Sequence, residues 1–211
     1  RFYSGSQQVD DVGFLNEVVD DCLNRFPIDP DRIFLTGFSN GASLAFLSVE
    51  RLSKKIAAIA PVAGCHWGDT PETLDPISIF YLSGTADPLN PLEGGMPTFQ
   101  FGARQWGGMP KPAFIDFIKK WARKNQCPEK PSVSFINPSV KQMKFTPCQP
   151  QGIRVEALLI ENLGHVWPGG KRILPEFVVG KSLNPFSATD SIWEFFSSVP
   201  ATTPQLKPPS F

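Results

Sequence analysis

The apolar positions of this chain switch repeatedly between helical spacing and short unbroken runs, and that switching predicts its layers. Over residues 10–26, Val12, Leu15, Val18, Val19, Leu23 and Phe26 fall at helical spacing, and Pro27 closes the run. The segment IDPDR is a turn leading into IFLTGF, a short β-rich strand over residues 33–38. After Ser39, the stretch NGASLAFLSVERLS places Ala42, Ala45, Phe46 and Val49 on one face of a predicted helix. Apolar runs at 56–64, 77–84 and 155–162 read as a second, third and fourth strand. A Pro/Gly-rich loop follows the third strand and ends at a predicted helix over 113–125. A long irregular loop follows the fourth and ends at a helix near 190–197, where Ile192, Trp193 and Phe196 can pack inward. Strands alternating with helices predict an α/β fold, a mostly parallel sheet with helices on both faces. The near-continuous apolar character of the strands agrees, because such strands are buried on both sides.

The length of 211 residues suits a single domain, assigned to residues 1–198. The last segment, 199–211 (VPATTPQLKPPSF), is Pro/Thr-rich and expected to be disordered. Most of the 22 prolines lie between predicted elements, which points to long, stiffened surface loops. Lys plus Arg equals Asp plus Glu at 20 each, with no basic block, so nothing electrostatic favours nucleic acid or an anionic membrane as a partner. No apolar run reaches the roughly 20 residues needed to cross a bilayer. The chain opens at Arg1 without a charged-then-apolar leader, so either a leader was removed or upstream sequence is missing. None of the four cysteines, Cys22, Cys65, Cys127 and Cys148, forms a CxxC pair, which argues against a zinc or thioredoxin-type site. Cys127 and Cys148 bracket a Pro-rich, loop-like stretch; a disulfide or two buried free thiols would both fit, and an exported enzyme with long loops gains from the disulfide.

The strongest chemical signal is GFSNG, residues 37–41, set between a predicted strand and a predicted helix. GxSxG alone is a weak motif, but a nucleophile elbow needs this strand–turn–helix setting. The helix points its N-terminus at Ser39, and the backbone N–H of Asn40 can donate to a developing oxyanion. The bland alternative is a glycine-rich turn with a capping serine. A nucleophilic serine needs a base, and the chain has two histidines: His66 follows the second strand and His165 follows the fourth. Both could reach the C-terminal edge of the sheet, where open α/β sheets bind ligands. The order serine, acid, histidine selects His165. The acid is then Asp87, in SGTADPLNP beyond the third strand, with Asp69 and Glu93 as rivals better read as solvated loop carboxylates. His66 is better read as a pocket-rim or structural residue that can touch substrate.

The segments VDDVGFLNEVVDDCLNRFPIDPDRIFLTGFSNGASLA, AAIAPVAG, LSGTADPLNP and GHVWPGG occur in register from Val9 to about Phe196. Together they resemble a family of secreted serine esterases that holds polyhydroxybutyrate depolymerases, feruloyl esterases and acetylxylan esterases. The resemblance implies an α/β-hydrolase fold, an extracellular enzyme, an ester substrate, and neither metal nor cofactor. The family's serine, aspartate and histidine fall on Ser39, Asp87 and His165, and its frequent cysteine pair falls on Cys127 and Cys148. Two departures stand out. Ala42 replaces a second glycine that many relatives carry after the nucleophile turn. Family members also place several strands, and an HG-type loop that supplies a second oxyanion N–H, before the nucleophile strand; only one helix precedes it here. The chain therefore reads as the C-terminal part of such a domain, with a free edge on the 33–38 strand. Loss of one oxyanion donor costs on the order of 100-fold in turnover.

The ester itself is less legible, since fold does not fix substrate. Trp67 and Trp167 each lie within two residues of a histidine, and Trp106 lies in the loop after Asp87. Their faces could hold a hydroxycinnamoyl ring, a sugar chain or an aliphatic polyester. A polyhydroxybutyrate depolymerase-like activity is slightly preferred, with feruloyl or acetyl esters of xylan as close rivals. A serine peptidase of the same fold and a non-catalytic binding module are the readings from other classes.

Overall fold

The computed structural model describes residues 9–66, 74–97, 100–101, 104–105, 110–149, 151–183 and 186–200, the side chains of 100–101 and 104–105 aside. The expected disorder of the tail concerns residues that, after Pro200, lie outside this set. Helix α1 (Asp11–Arg25) starts where Asp10 accepts the Gly13 N–H at 2.8 Å, an N-cap that satisfies one of the helix's free donors. Arg51, on the helix after Ser39, pairs with Asp10, and Lys55, in the turn past that helix, lies 2.6 Å from Asp20 of α1. Val12 and Val19 are buried, but Val18 and Phe26 of the expected apolar stripe are exposed. One narrow stripe suffices to pack two helices, and the flank carrying Phe14 and Val18 has nothing over it among the described residues.

Strand β1 (Phe34–Phe38) feeds directly into α2 (Asn40–Leu52), whose Ala42, Ala45, Phe46 and Val49 are all buried. Strands β2 (Ala58–Val62) and β3 (Ser78–Gly84) are buried at every position. A small antiparallel pair, β4 (Gln100–Phe101) and β5 (Arg104–Gln105), lies in the Pro/Gly-rich loop ahead of α3 (Phe114–Lys124). The stretch between Cys127 and Cys148, read from sequence as loop, instead holds a hairpin of β6 (Ser132–Asn137) and β7 (Val140–Lys144). Strand β8 (Val155–Ile160) follows, then α4 (Glu176–Val179) inside the expected irregular loop, and α5 (Ala188–Ser198).

The main sheet has the order β1-β2-β3-β8-β7-β6. β1, β2, β3 and β8 are mutually parallel, whereas β7 runs antiparallel to both β8 and β6. One core cluster lies between the sheet and α2 and α3, with Phe46, Tyr81 and Trp121 at its centre. The other lies under α5, where Ile192, Phe195 and Phe196 are buried. Trp193, expected to face inward, is 68% exposed: the buried stripe runs through 192, 195, 196 and 199, and position 193 is turned about 100° from 192. At the sheet's edge β1 has β2 as its one strand partner among the described residues. A disulfide joins Cys127 to Cys148 across the base of the hairpin; Cys22 is a half-buried free thiol and Cys65 a buried one.

Candidate active site

The site forms at the carboxyl ends of the parallel strands. Ser39 sits between β1 and α2 with φ 56° and ψ −116°, a left-handed conformation that a serine rarely adopts. Neighbouring contacts enforce it: the Ser39 N–H donates to Val62 O at 2.9 Å, and the Ser39 carbonyl accepts from Ser43 N. Position 37 admits only glycine, because a Cβ there would lie 2.4 Å from the Gly41 backbone as the strand turns into the helix. Asn40 is the first residue of α2, so its N–H has no acceptor within the helix and points from the positive end of the helix dipole.

Asp87 follows β3 and His165 follows β8, and those strands are neighbours, so the two loops lie side by side. Thr85 N donates to Ile160 O and Ala86 N to Leu163 O, joining the loops by backbone bonds. The strand that leads into Ser39 is not adjacent to β8. Three strand spacings separate β1 from β8, about 14 Å, so the loop after β8 must reach back over β2 and β3. The result is a chain of contacts. His165 Nε2 lies 2.8 Å from Ser39 Oγ, and Nδ1 lies 2.7 Å from Asp87 Oδ2. A carboxylate only accepts, which assigns the proton to Nδ1 and leaves the Nε2 lone pair for the serine hydroxyl. Asp87 Oδ1 accepts the N–H groups of Leu89 and Asn90, both at 2.8 Å. Asp87 and His165 are both buried.

Contacts that the sequence did not reveal hold the imidazole. The Phe38 ring packs against His165 with centroids 4.8 Å apart. Gly164 N donates to Lys181 O and His165 N to Val179 O, so the end of α4 and the residues just after it strap the histidine loop down. A Cβ at Gly164 would meet Val179 O at 2.1 Å, which is why that strap can pass so close. The tryptophan and histidine expected at the rim are distributed differently. Trp167 donates from Nε1 to Thr189 Oγ1 at 3.1 Å and is half-buried against the α5 cluster. His66 faces Glu50, with Nε2 at 3.9 Å from its carboxylate. Glu50 is the eleventh residue of α2, about 17 Å along the helix from Ser39, so the tip of the His66 ring lies toward the far end of that helix and not at the serine. Burial holds the His66 imidazole below its ordinary range and pushes the Cys65 thiol up to about 11. Trp67, Trp106 and Asp69 lie outside the described residues, and Glu93 is exposed. Among the described residues no group of three or more His, Cys, Asp or Glu could hold a metal ion.

The architecture is that of the α/β-hydrolases. The acetyl xylan esterase from Aspergillus awamori superimposes with a TM-score of 0.59 at 12% identity, covering 89% of this chain and 67% of that one. No family model matches the sequence. By sequence the chain is similar to several esterases at modest identity. It is 27% identical to "Putative esterase NocK" of Nocardia uniformis subsp. tsuyamanensis, over 88% of this chain and 56% of the relative. It is 27% identical to feruloyl esterase B of Piromyces equi, over 77% of this chain and 30% of the relative. Likeness to the bifunctional acetylxylan esterase/xylanase XynS20E of Neocallimastix patriciarum is 23%, over 75% and 22%. The chain thus spans about half the length of NocK and less of the other two.

Proposed function

We propose that this chain carries the reacting groups of a serine carboxylic-ester hydrolase. Ser39 Oγ attacks the ester carbonyl as His165 Nε2 takes its proton, and a covalent acyl-serine forms as the alcohol leaves with that proton. Water, deprotonated by the same imidazole, then releases the acid and restores the serine. Asp87 orients the imidazole and stabilises its protonated form. The Asn40 N–H donates to the oxyanion. The observation that carries this reading is the unbroken contact from Ser39 through His165 to Asp87, built on a left-handed serine at a helix N-terminus. Esterase relatives of related sequence support it.

Among esters, feruloyl and acetyl groups on plant xylan have the named relatives on their side, and the polyhydroxybutyrate alternative has none of them. The disulfide supports export to an oxidising compartment. The test is hydrolysis of 4-nitrophenyl acetate, methyl ferulate, acetylated xylan and polyhydroxybutyrate by the full-length protein, with fluorophosphonate labelling. Ser39 should label and Ser39→Ala should not. Full-length protein that neither labels nor cleaves any of these esters ends the reading and favours a binding module.

A further inference from the structure

The acid loop carries one buried polar side chain that the reaction does not use, Asn90. Asn90 is 5% exposed, and its Nδ2 donates to Tyr81 Oη at 3.3 Å and to Ser83 Oγ at 3.4 Å. Both acceptors lie on β3, upstream of Asp87, and both are buried. The backbone N–H of the same Asn90 is one of the two donors on Asp87 Oδ1. A carboxyl group turns easily about its last torsion, so a clamp on one oxygen sets the direction of the other. The Asp87 loop is otherwise tied back by its own local N–H bonds and by the histidine loop it must support.

We infer that Asn90 is a positioning residue for Asp87: its amide anchors the turn to β3, and its N–H fixes the carboxylate so that Oδ2 meets His165 Nδ1. This rests on reading Asp87 as the acid of the proposed triad. Leucine has the same side-chain branching, though it is bulkier, and it keeps the backbone N–H but removes the tie to β3. A carboxylate displaced by a fraction of an ångström orients the imidazole less well, which affects the chemical step rather than ester binding.

The experiment uses Asn90→Leu in the full-length protein. With 4-nitrophenyl acetate, kcat should fall on the order of ten-fold while KM holds. The downfield proton resonance of the His165 Nδ1–H, visible by NMR when that proton lies between imidazole and carboxylate, should broaden or move upfield. Tyr81→Phe combined with Ser83→Ala should reproduce both changes, and adding Asn90→Leu to that pair should add little, since all three remove one tie. If Asn90→Leu does not fold, the Tyr81→Phe/Ser83→Ala protein gives the same readouts. Folded variants with wild-type kcat and an unmoved resonance overturn the inference. Should the wild-type protein prove inactive toward esters, the esterase reading fails, and the resonance alone still decides whether Asn90 aims Asp87.

Discussion

The two ends of the main sheet differ in direction, burial and chemistry. On one side β1, β2, β3 and β8 run parallel, and β2 and β3 are buried throughout under helices on both faces. Ser39, Asp87 and His165 all leave from the carboxyl ends of this half. On the other side the β6–β7 hairpin runs antiparallel, and five of the six residues of β6 are exposed, Phe135 and Val133 among them. None of these three residues lies on the hairpin. Its packing role is to cover β8, which would otherwise be an edge next to the histidine loop. Parallel strands bring every carboxyl end to one edge, so a site assembled from strand ends belongs to that half. The hairpin end is free to vary so long as it stays attached.

Substitutions can break this contrast at either end. The largest effect falls in the parallel half: Ser39→Ala or His165→Ala should lower kcat/KM by at least 10³-fold while melting temperature stays nearly unchanged. At the hairpin end the order reverses. Replacing Cys127 and Cys148 with alanine should cost about 3 kcal/mol of stability by urea titration and leave kcat and KM of the folded enzyme near wild type. Gly164→Ala comes next and returns to the site. Its Cβ would lie 2.1 Å from Val179 O, so the histidine loop must shift, and kcat should drop by up to about 100-fold. Phe135→Thr, on the exposed strand, should move stability by less than about 0.5 kcal/mol by urea titration.

The smallest effects are set chiefly by burial. The Cys65 thiol ionises near 11 in the fold against 9.0 for a free thiol, so native protein at pH 8 should react with a thiol reagent at Cys22 and not at Cys65. Because burial raises its ionisation point, Cys65 adds stability below pH 9 that is lost as pH climbs through about 11. His66 works in the opposite direction: the fold favours its neutral form, so its contribution is present above its ordinary range and fades as pH falls through that range. The urea midpoint of wild type should therefore fall relative to that of His66→Gln as pH is lowered into mild acid.

Much of the parallel half was legible in the chain. Apolar runs with turn residues at their ends marked β1, β2, β3 and β8, and the GFSNG turn lay between a strand and a helix as read. The hairpin was not legible. Ser132–Asn137 carries apolar residues on a strand exposed on both faces, and prolines on either side resemble loop punctuation, so local pattern had no core to report. Trp193 and Val18 failed for a related reason. Periodicity says which residues share a face of a helix but not how wide a face its neighbours cover.

By itself the sequence determined which residue types stand at strand ends, in what order, and with glycine where the elbow needs it. Those depend on local sterics and on the alternation of helix and strand, which are written into neighbouring residues. Only the tertiary structure decided that β3 and β8 are neighbours, that the histidine loop crosses about 14 Å to reach Ser39, and that His66 turns to Glu50 instead. It also placed Phe38 on the imidazole and Asn90 behind the carboxylate. Such contacts join residues far apart in the chain or are settled by how a loop packs, and spacing along the chain carries no record of either.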